Sequence, residues 1–458
     1  MKIISRFVWL LASQRRAVAL CAGGCSLLVA SSHAQVAANA VRSTVAGIDV
    51  IALKTGVKDV VTLHGNLPAG NSLSPDANNA IARLTAGMLD KGTVKQDKFA
   101  IAQKLESVGA TISFAANADV LSINAHCLRK DVPLVLELIA EQLRTPAFSP
   151  EEFAKLQKQY VGFYKRASDD TDFRSRDAFT RAVYPAGHPN RQPAVDDLVA
   201  AVGRATLDEV KAFHARYYGP AAMRLVIVGD IEPAAVKTEL AQAFAGWTGG
   251  KPVARAPKAG AMDVSRNQTV FMADKTNVTI TWGQNTGLKY GEPDYLALRT
   301  GTYILGSGGF TCRLMENVRD KEGLTYGIYS VLQGDTFNDG DFSIIGEFAP
   351  SMVDKGLAST KRQLVEWQAK GVTAAELDRT KTNIAGIYKV SLATTDGMSS
   401  TILSMLNRGM DLAWVDQYPA KIGALTVADV NGAIKKHINP DQMVLVKAGT
   451  VLEAPPAK

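Results

Sequence analysis

Histidines are the first side chains to consider, because paired imidazoles at a fixed spacing can hold a catalytic metal ion. After residue 34 the chain has five of them: His64, His126, His188, His214 and His437. No two stand at the spacing of metal ligands on one helix. His126 has Cys127 beside it, but adjacent residues of a strand point to opposite faces. Spacing along the chain therefore predicts no metal site, and the His-Pro setting of His188 indicates a structural turn.

The cysteines predict neither a redox motif nor a disulfide framework. After residue 34 only Cys127 and Cys312 remain, in unrelated surroundings. One disulfide bond between Cys127 and Cys312 remains chemically possible if the protein is exported. Residues 121–127 alternate between apolar and polar, as in a half-buried strand, so Cys127 is predicted to be a small core residue.

A glycine-rich segment, Gly306-Ser307-Gly308-Gly309, invites comparison with a phosphate-binding loop. It lacks the Gly-Lys-Ser/Thr that must follow in such a loop, so nucleotide binding is not favoured. Two interpretations stay open: a turn that ends a helix, and a flexible loop facing a bound substrate.

The composition is that of an ordinary globular protein and does not predict nucleic-acid binding. The 458 residues are 47% hydrophobic and 21% charged, with 51 Lys and Arg against 44 Asp and Glu. Four of the basic residues stand within 1–34, where no acid stands. The small remaining surplus is dispersed, so no nucleic-acid partner is expected. No apolar stretch is long enough to predict a transmembrane segment.

The basic start has the layout of a targeting segment. It is followed by an apolar run of small residues over 17–29 and by Ser32-His33-Ala34 before Gln35. This order is typical of a secretory signal peptide, here residues 1–34, cut near Ala34. It predicts an exported protein, periplasmic in a Gram-negative host.

One stretch of sequence occurs twice at an offset of 220. Thr206-Leu207-Asp208-Glu209-Val210 corresponds to Thr426-Val427-Ala428-Asp429-Val430, Pro220 to Pro440, and Gly229 to Gly449. Each copy predicts a helix opened by a capping Thr, a Pro-containing turn, and a strand that ends at Gly. Two tandem homologous domains follow from this repeat.

Within each copy, strand patterns stand beside amphipathic helices such as 133–143. They predict an α+β protein with each sheet covered by helices on one side. The predicted domains are residues 35–247 and 268–452. A Gly-, Pro- and Lys-rich linker over 248–267 joins them, and 453–458 form a tail.

Three further motifs are specific enough to indicate a family. They are Met88-Leu89-Asp90-Lys91-Gly92-Thr93, Tyr217-Tyr218-Gly219-Pro220, and Arg319-Asp320-Lys321-Glu322-Gly323-Leu324-Thr325-Tyr326. Together they resemble the pitrilysin, insulinase and mitochondrial-processing-peptidase family of zinc metallopeptidases, in its short bacterial form. The resemblance implies two domains of one fold, each a mainly antiparallel sheet covered by helices.

The family's zinc motif is degenerate in this chain. Active members carry H-x-x-E-H on a helix just before the Met88–Thr93 segment. Here its three positions read Arg83, Ala86 and Gly87, and the family's later Glu ligand aligns near 160–164, where no acid stands. The resemblance therefore implies no catalytic residue, no metal ligand and no bound cofactor in this chain.

Arg319 and Tyr326 match the substrate-binding Arg/Tyr pair that the family carries in its C-terminal domain. By that resemblance the Tyr hydroxyl would hydrogen-bond the scissile carbonyl oxygen, and the Arg would hold a nearby carbonyl or the Tyr itself. Without the resemblance they are an exposed helix Arg and a strand Tyr with no joint role. Gly308 and Gly309 are the other candidates for substrate contact.

Two functions remain open. In the first, the chain is the non-catalytic subunit of a heterodimeric zinc metallopeptidase, and a homologous partner brings the zinc and the base to an extended peptide. In the second, it binds peptides or serves as a scaffold with no part in catalysis. Without the partner, two copies of the chain would form a homodimer that holds no zinc. An autonomous peptidase is the least favoured.

Overall fold

The computed structural model describes residues 36–250, 259 and 267–451. The predicted signal peptide, most of the predicted linker and the predicted tail lie outside these residues. A search of the described helices for one long and apolar enough to cross a membrane found none.

The first half of the chain forms a six-stranded sheet. Its strands are β1 (Ala40–Val45), β2 (Ile48–Lys54), β3 (Val60–Leu67), β4 (Thr111–Ala116), β5 (Leu121–Leu128) and β6 (Arg224–Gly229). The spatial order is β1-β2-β6-β3-β5-β4. Only β2 and β6 pair in parallel; the other neighbours are antiparallel.

The second half forms a five-stranded sheet of related design. Its strands are β7 (Asn267–Phe271), β8 (Val278–Asn285), β9 (Ile328–Gln333), β10 (Asp341–Phe348) and β11 (Val444–Gly449). Their order is β7-β11-β8-β10-β9, again with a single parallel pair, β7 with β11. The α+β class and the mainly antiparallel sheets are therefore confirmed.

Helices follow the strands in both halves. In the first they are α1 (Val36–Asn39), α2 (Ile81–Met88), α3 (Lys98–Ser107), α4 (Val132–Arg144), α5 (Pro150–Ser168), α6 (Thr171–Val183), α7 (Val195–Arg204), α8 (Leu207–Tyr217) and α9 (Pro233–Ala243). In the second they are α10 (Tyr295–Thr302), α11 (Val353–Lys370), α12 (Ala374–Ser391), α13 (Thr395–Asn407), α14 (Leu412–Ala424) and α15 (Val427–His437).

The two copies of the predicted repeat share two structural features, a capping threonine and a glycine that ends a strand. Thr206 and Thr426 each cap a helix in a reciprocal capping box. Gly229 and Gly449 end their strands at φ 154° and 140°, and a Cβ there would lie 2.2 Å from Val60 O and 2.5 Å from Asn277 O. Only glycine allows so close an approach to the neighbouring strand.

One helix from each half packs on the sheet of the other half. The helix α6 packs on β8 and β11, and α13 packs on β3 and β6. Hydroxyl pairs pin both helices at their first residue: Thr171 to Thr279 at 2.8 Å, and Thr395 to Thr62 at 2.9 Å. The prediction of helices on one side of each sheet was therefore incomplete, because a helix from the other half covers the second face.

This exchange explains the long apolar runs of the central strands. One hydrophobic cluster fills the space between the first sheet and α2, α4, α5 and α7. A second cluster joins the second sheet to four residues of the first, Ile51, Leu53, Val226 and Val228. A strand buried on both faces needs apolar side chains at consecutive positions, which is the pattern of β2 and β6.

Candidate functional site

The predicted Arg/Tyr pair is brought together at the end of an irregular helix. Arg319 lies in the π-type segment Met315–Lys321, and Tyr326 lies just before β9. The Arg319 Nε donates a hydrogen bond of 3.0 Å to the Tyr326 backbone oxygen. The guanidinium carbon is 5.6 Å from the centroid of the Tyr326 ring and 4.9 Å from that of Phe310. Arg319 thus holds both rings by cation–π contacts.

The Tyr326 side chain is presented to solvent rather than packed. The residue is 90% exposed, and its hydroxyl has no hydrogen-bond partner among the described residues. Arg319 is anchored on its other side by a 2.7 Å ion pair with Asp320. The hydroxyl is therefore free to donate to a carbonyl oxygen of a bound chain, while the guanidinium fixes the Tyr backbone.

A groove of about 540 Å³ surrounds the pair. Its walls include Phe310, Tyr329 and Gly309, whereas Gly308 is not part of them. Gly309 has φ +66° and open space where a Cβ would stand, while a Cβ on Gly308 would lie 3.0 Å from Tyr303 O. Of the two glycines proposed for substrate contact, the structure places Gly309 alone in the groove wall.

The groove runs beside the edge strand of the second sheet. The strand β9 is the last of its sheet and pairs only with β10. Ile328, Tyr329, Ser330 and Val331 of this strand line the groove. An edge strand can pair with an added chain where its backbone groups are free, but here Ser330 O already accepts a hydrogen bond from Ser307 Oγ, which covers that part of the edge.

The residues at the degenerate zinc motif do not fit a metal ion. Arg83, Ala86 and Gly87 lie on α2, with the Arg83 guanidinium carbon 5.5 Å from the centroid of the Tyr164 ring on α5. Burial lowers the pKa of Arg83, and no carboxylate pairs with it in the described part of the chain. A Cβ on Gly87 would be 3.0 Å from Leu156. The desolvated guanidinium would repel zinc, and neither Ala86 nor Gly87 offers a side-chain ligand atom.

The aligned position of the later Glu ligand fits the same conclusion. Tyr160 and Tyr164 stand there on α5, and the buried Tyr164 hydroxyl has no hydrogen-bond partner among the described residues. Among the described residues no carboxylate pairs with Arg83, so this helix lacks a base that could deprotonate a metal-bound water.

The structure also brings close together two histidines that are far apart in the sequence. His64 on β3 and His126 on β5 both lie within hydrogen-bonding range of Asp396 on α13. Spacing could not reveal this pair, since it depends on the β3–β5 register and on the exchange of α13. Only the alternation over 121–127, which puts His126 on the face opposite Cys127, pointed in this direction.

The other predictions for histidine and cysteine hold. His188 stacks on Tyr184 at 4.5 Å and contacts Asp339 at 3.2 Å, so it fixes a loop as expected. Cys127 is a buried core residue, and both it and Cys312 are free thiols. Burial raises the pKa of the Cys127 thiol to about 12, so this thiol is unreactive near neutral pH.

Two sheets that exchange helices, a degenerate zinc helix and an Arg/Tyr groove define a peptidase-like protein without a metal centre at the usual helix. The family model described as insulinase (peptidase family M16) matches residues 50–188, and the one described as peptidase M16 inactive domain matches 204–384. The chain belongs to the M16 family.

Among the proteins similar to this chain, some are named as zinc proteases and one is named as a non-peptidase. A Helicobacter pylori protein named non-peptidase homolog YmxG is 23% identical over 82% of this chain and 85% of its own length. A Mycobacterium tuberculosis protein named uncharacterized zinc protease is 25% identical over 77% of this chain and 79% of its own.

Solved structures share the whole fold. A Pseudomonas fluorescens structure described as a peptidase M16 inactive domain superposes with a TM-score of 0.84 at 26% identity, covering 92% of this chain and 100% of that one. The Escherichia coli structure described as the periplasmic protease PqqL has a TM-score of 0.72 at 16% identity. It covers 90% of this chain but only 45% of that longer one, and its likeness is one of fold.

Proposed function

We propose that this chain is the non-catalytic subunit of a heterodimeric zinc metallopeptidase. A homologous partner with an intact H-x-x-E-H helix supplies the metal and the base. This chain supplies Arg319 and Tyr326, which bind the substrate and stabilise negative charge on the scissile carbonyl oxygen. It binds no zinc at the helix where active members of the family hold it.

The exposed hydroxyl of Tyr326 is the observation that carries this proposal. Tyr326 is 90% exposed and shares its groove with the exposed rings of Phe310 and Tyr329, and an exposed apolar patch of this kind marks a binding site. Arg319 holds its backbone and its ring at the same time, so the hydroxyl is oriented before a substrate arrives. Preorganised donors are what oxyanion stabilisation requires.

The substrate class follows from the groove. It is largely apolar, runs along the edge strand β9 and carries exposed rings from Phe310, Tyr326 and Tyr329. An extended peptide can add to this edge and place apolar side chains between the rings. A folded protein would not offer its backbone in this way, so the proposed substrates are unfolded peptides.

A peptide-binding or scaffold role without catalysis is the second candidate. The apolar groove beside the edge strand β9 supports peptide binding by itself, and this role does not require the Tyr326 hydroxyl. In that role the ring of Tyr326 would matter and its oxygen would not.

Tyr326→Phe separates the two roles. In a complex reconstituted with the zinc-bearing partner, we expect kcat to fall about 100-fold, the usual loss for one oxyanion donor, with little change in KM. Tyr329→Phe removes a hydroxyl from the same groove and should leave kcat within about twofold. Unchanged turnover in Tyr326→Phe, with peptide binding retained, would support the scaffold role instead.

We also propose a periplasmic location, supported by the targeting pattern of residues 1–34. The solved structure of similar fold described as a periplasmic protease agrees with it. Fractionation of a Gram-negative host should recover the chain in the periplasm, beginning near Gln35. Recovery of full-length chain in the cytoplasm would contradict the proposal.

A further inference from the structure

Three potential metal ligands meet where the two halves of the chain touch, and none of them lines the Arg319–Tyr326 groove. His64 comes from β3, His126 from β5 and Asp396 from the first turn of α13. One oxygen of Asp396, Oδ1, lies 3.3 Å from Nε2 of His64 and 3.5 Å from Nε2 of His126. The three ligand atoms all lie within 4.8 Å of one another.

These separations fit a tetrahedral metal ion. Zinc binds imidazole nitrogen and carboxylate oxygen at about 2.0–2.1 Å, which places neighbouring ligand atoms about 3.3 Å apart. Both nitrogen–oxygen separations are already near this value. The side chain of His126 is 47% exposed, so its ring has room to turn toward His64.

We propose that His64, His126 and Asp396 form a binding site for a divalent transition metal ion, with Zn²⁺ as the probe. Two imidazoles and one carboxylate suit zinc and cobalt, whereas magnesium and calcium prefer oxygen ligands. Three protein ligands leave a fourth position for water or an added ligand. The side chains of His126 and Asp396 are 47% and 58% exposed, so such a ligand can reach the site from solvent.

Neighbouring hydroxyls hold the ligands in place. Thr62 Oγ1 lies 3.3 Å from Nδ1 of His126, which leaves Nε2 of that ring free to bind. The same hydroxyl is 2.9 Å from Thr395 Oγ1 and so fixes the start of α13 beside Asp396. Nδ1 of His64 is buried and unpartnered among the described residues, so Nε2 makes the ring's polar contacts.

The second half of the chain provides an internal comparison. There Thr171 of α6 meets Thr279 as Thr395 meets Thr62, which makes Asp172 the counterpart of Asp396. Strand pairing makes Glu347 the counterpart of His126, since Glu347 faces Thr279 as His126 faces Thr62. Thr281 then corresponds to His64. The exchanged-helix architecture therefore forms without imidazoles, so packing does not demand the two histidines.

The test uses the chain without residues 1–34, stripped of metal by a chelator. Zn²⁺ is titrated against a chromophoric chelator, Co²⁺ binding is followed by its visible absorption, and Tm is measured with and without Zn²⁺. We expect one equivalent per chain, tetrahedral cobalt absorption and a Tm that rises with Zn²⁺. His126→Gln and Asp396→Asn should each weaken binding at least about tenfold.

Two matched variants control for nonspecific binding. Asp172→Asn removes the counterpart carboxylate, and His437→Gln removes a histidine that contacts a single aspartate, Asp294, at 2.9 Å. Both should bind Zn²⁺ like the unmodified chain. Absence of stoichiometric binding, or equal binding by the Asp396→Asn chain, would overturn the proposal and leave the three side chains as a hydrogen-bonded contact. Because no peptidase partner is present, the outcome is independent of the proposed function.

Discussion

At the scale of single residues, Asp341 is a buried carboxyl whose ionisation is strongly disturbed. Its carboxyl is buried beside the cavity between the halves, where it accepts hydrogen bonds of 3.0 Å from the Tyr184 hydroxyl and from Gln333 Nε2. Burial raises its pKa to about 6. Because an unfolded Asp ionises near pH 4, the native state binds more protons than the unfolded state between about pH 4 and 6.

Asp341→Asn should therefore stabilise the protein at neutral pH. The Asp341 contribution to the free energy of unfolding falls as pH rises from about 4 to 6, by about 3 kcal/mol in all. An amide that accepts from Tyr184 removes this loss, so the variant should gain stability at pH 7 and match the original chain at pH 4. Urea unfolding at both pH values measures the difference.

Asp339 gives a control of opposite sign. Burial raises its pKa, but hydrogen bonds from His188, Ala259 N and Asn285 outweigh this and lower the value to about 2. Its contribution is present above about pH 4 and is lost as pH falls toward 2. Asp339→Asn should thus destabilise the protein at pH 7. If both variants change stability in the same direction at pH 7, the ionisation argument is wrong.

The groove and the histidine site differ in what sequence could reveal. The Arg319–Tyr326 pair was predictable because its residues stand in one short motif. The His64–His126–Asp396 set was not, because it depends on which strands pair and in what register. The placement of Gly309, but not Gly308, in the groove wall depends on backbone angles that glycine leaves open.

At the scale of elements, the helix α2 lacks both the metal ligands and the space that they would occupy. Arg83 stacks on Tyr164, and Leu156 and Tyr160 of α5 close on Gly87. A working zinc helix needs space for an imidazole at this position and an acid on the facing helix. Leu156 takes that space, and Tyr160 and Tyr164 rather than an acid stand at the aligned position of α5, so the degenerate motif is part of the packing between α2 and α5.

Restoring the motif alone should accordingly fail. We expect Arg83→His with Ala86→Glu and Gly87→His to add no stoichiometric zinc at this helix and no peptide hydrolysis, and to lower Tm by several degrees, because polar groups are buried without partners. The measurement is made in an Asp396→Asn background, so that zinc at the other proposed site is not counted. One zinc per chain that depends on the new histidines would show that α5 is no obstacle.

The helices and strands were largely predictable from the sequence, but which sheet each helix packs on was not. The helix predicted over 133–143 is α4 (Val132–Arg144), and the Thr caps at 206 and 426 follow from local preferences. The exchange of α6 and α13 leaves no local signal, because an amphipathic helix does not record which sheet it covers. It appears only as the long apolar runs of β2 and β6.

At the scale of the whole molecule, the exchange makes the two halves depend on each other. The helix α6 and the residue after it bury Phe179, Val183 and Tyr184 in one cluster with Val444 and Val446 of β11. On the face that α13 covers, Val226 and Val228 of β6 would be open to water in an isolated first half, beside the polar Thr62 and His64 of β3. Such exposed apolar surface favours aggregation.

We therefore expect one cooperative unfolding transition in the intact chain. Far-UV circular dichroism and tryptophan fluorescence should report the same midpoint, since Trp247 lies in the first half and Trp282, Trp367 and Trp414 lie in the second. Residues 36–250 and 267–451 expressed separately should aggregate or lack a sharp transition, and coexpression should restore one. A half that unfolds alone with the midpoint of the intact chain would contradict this expectation.

The central claim is that this chain works beside a zinc-bearing homologue. Its most direct test is affinity capture of the tagged chain from the native cell envelope, followed by mass spectrometry and quantification of what co-purifies. The account predicts a homologue with an intact H-x-x-E-H helix at near-equal stoichiometry, with peptide hydrolysis that a chelator abolishes. Recovery of the chain by itself, or with proteins that lack that helix, would contradict the claim and favour the peptide-binding role.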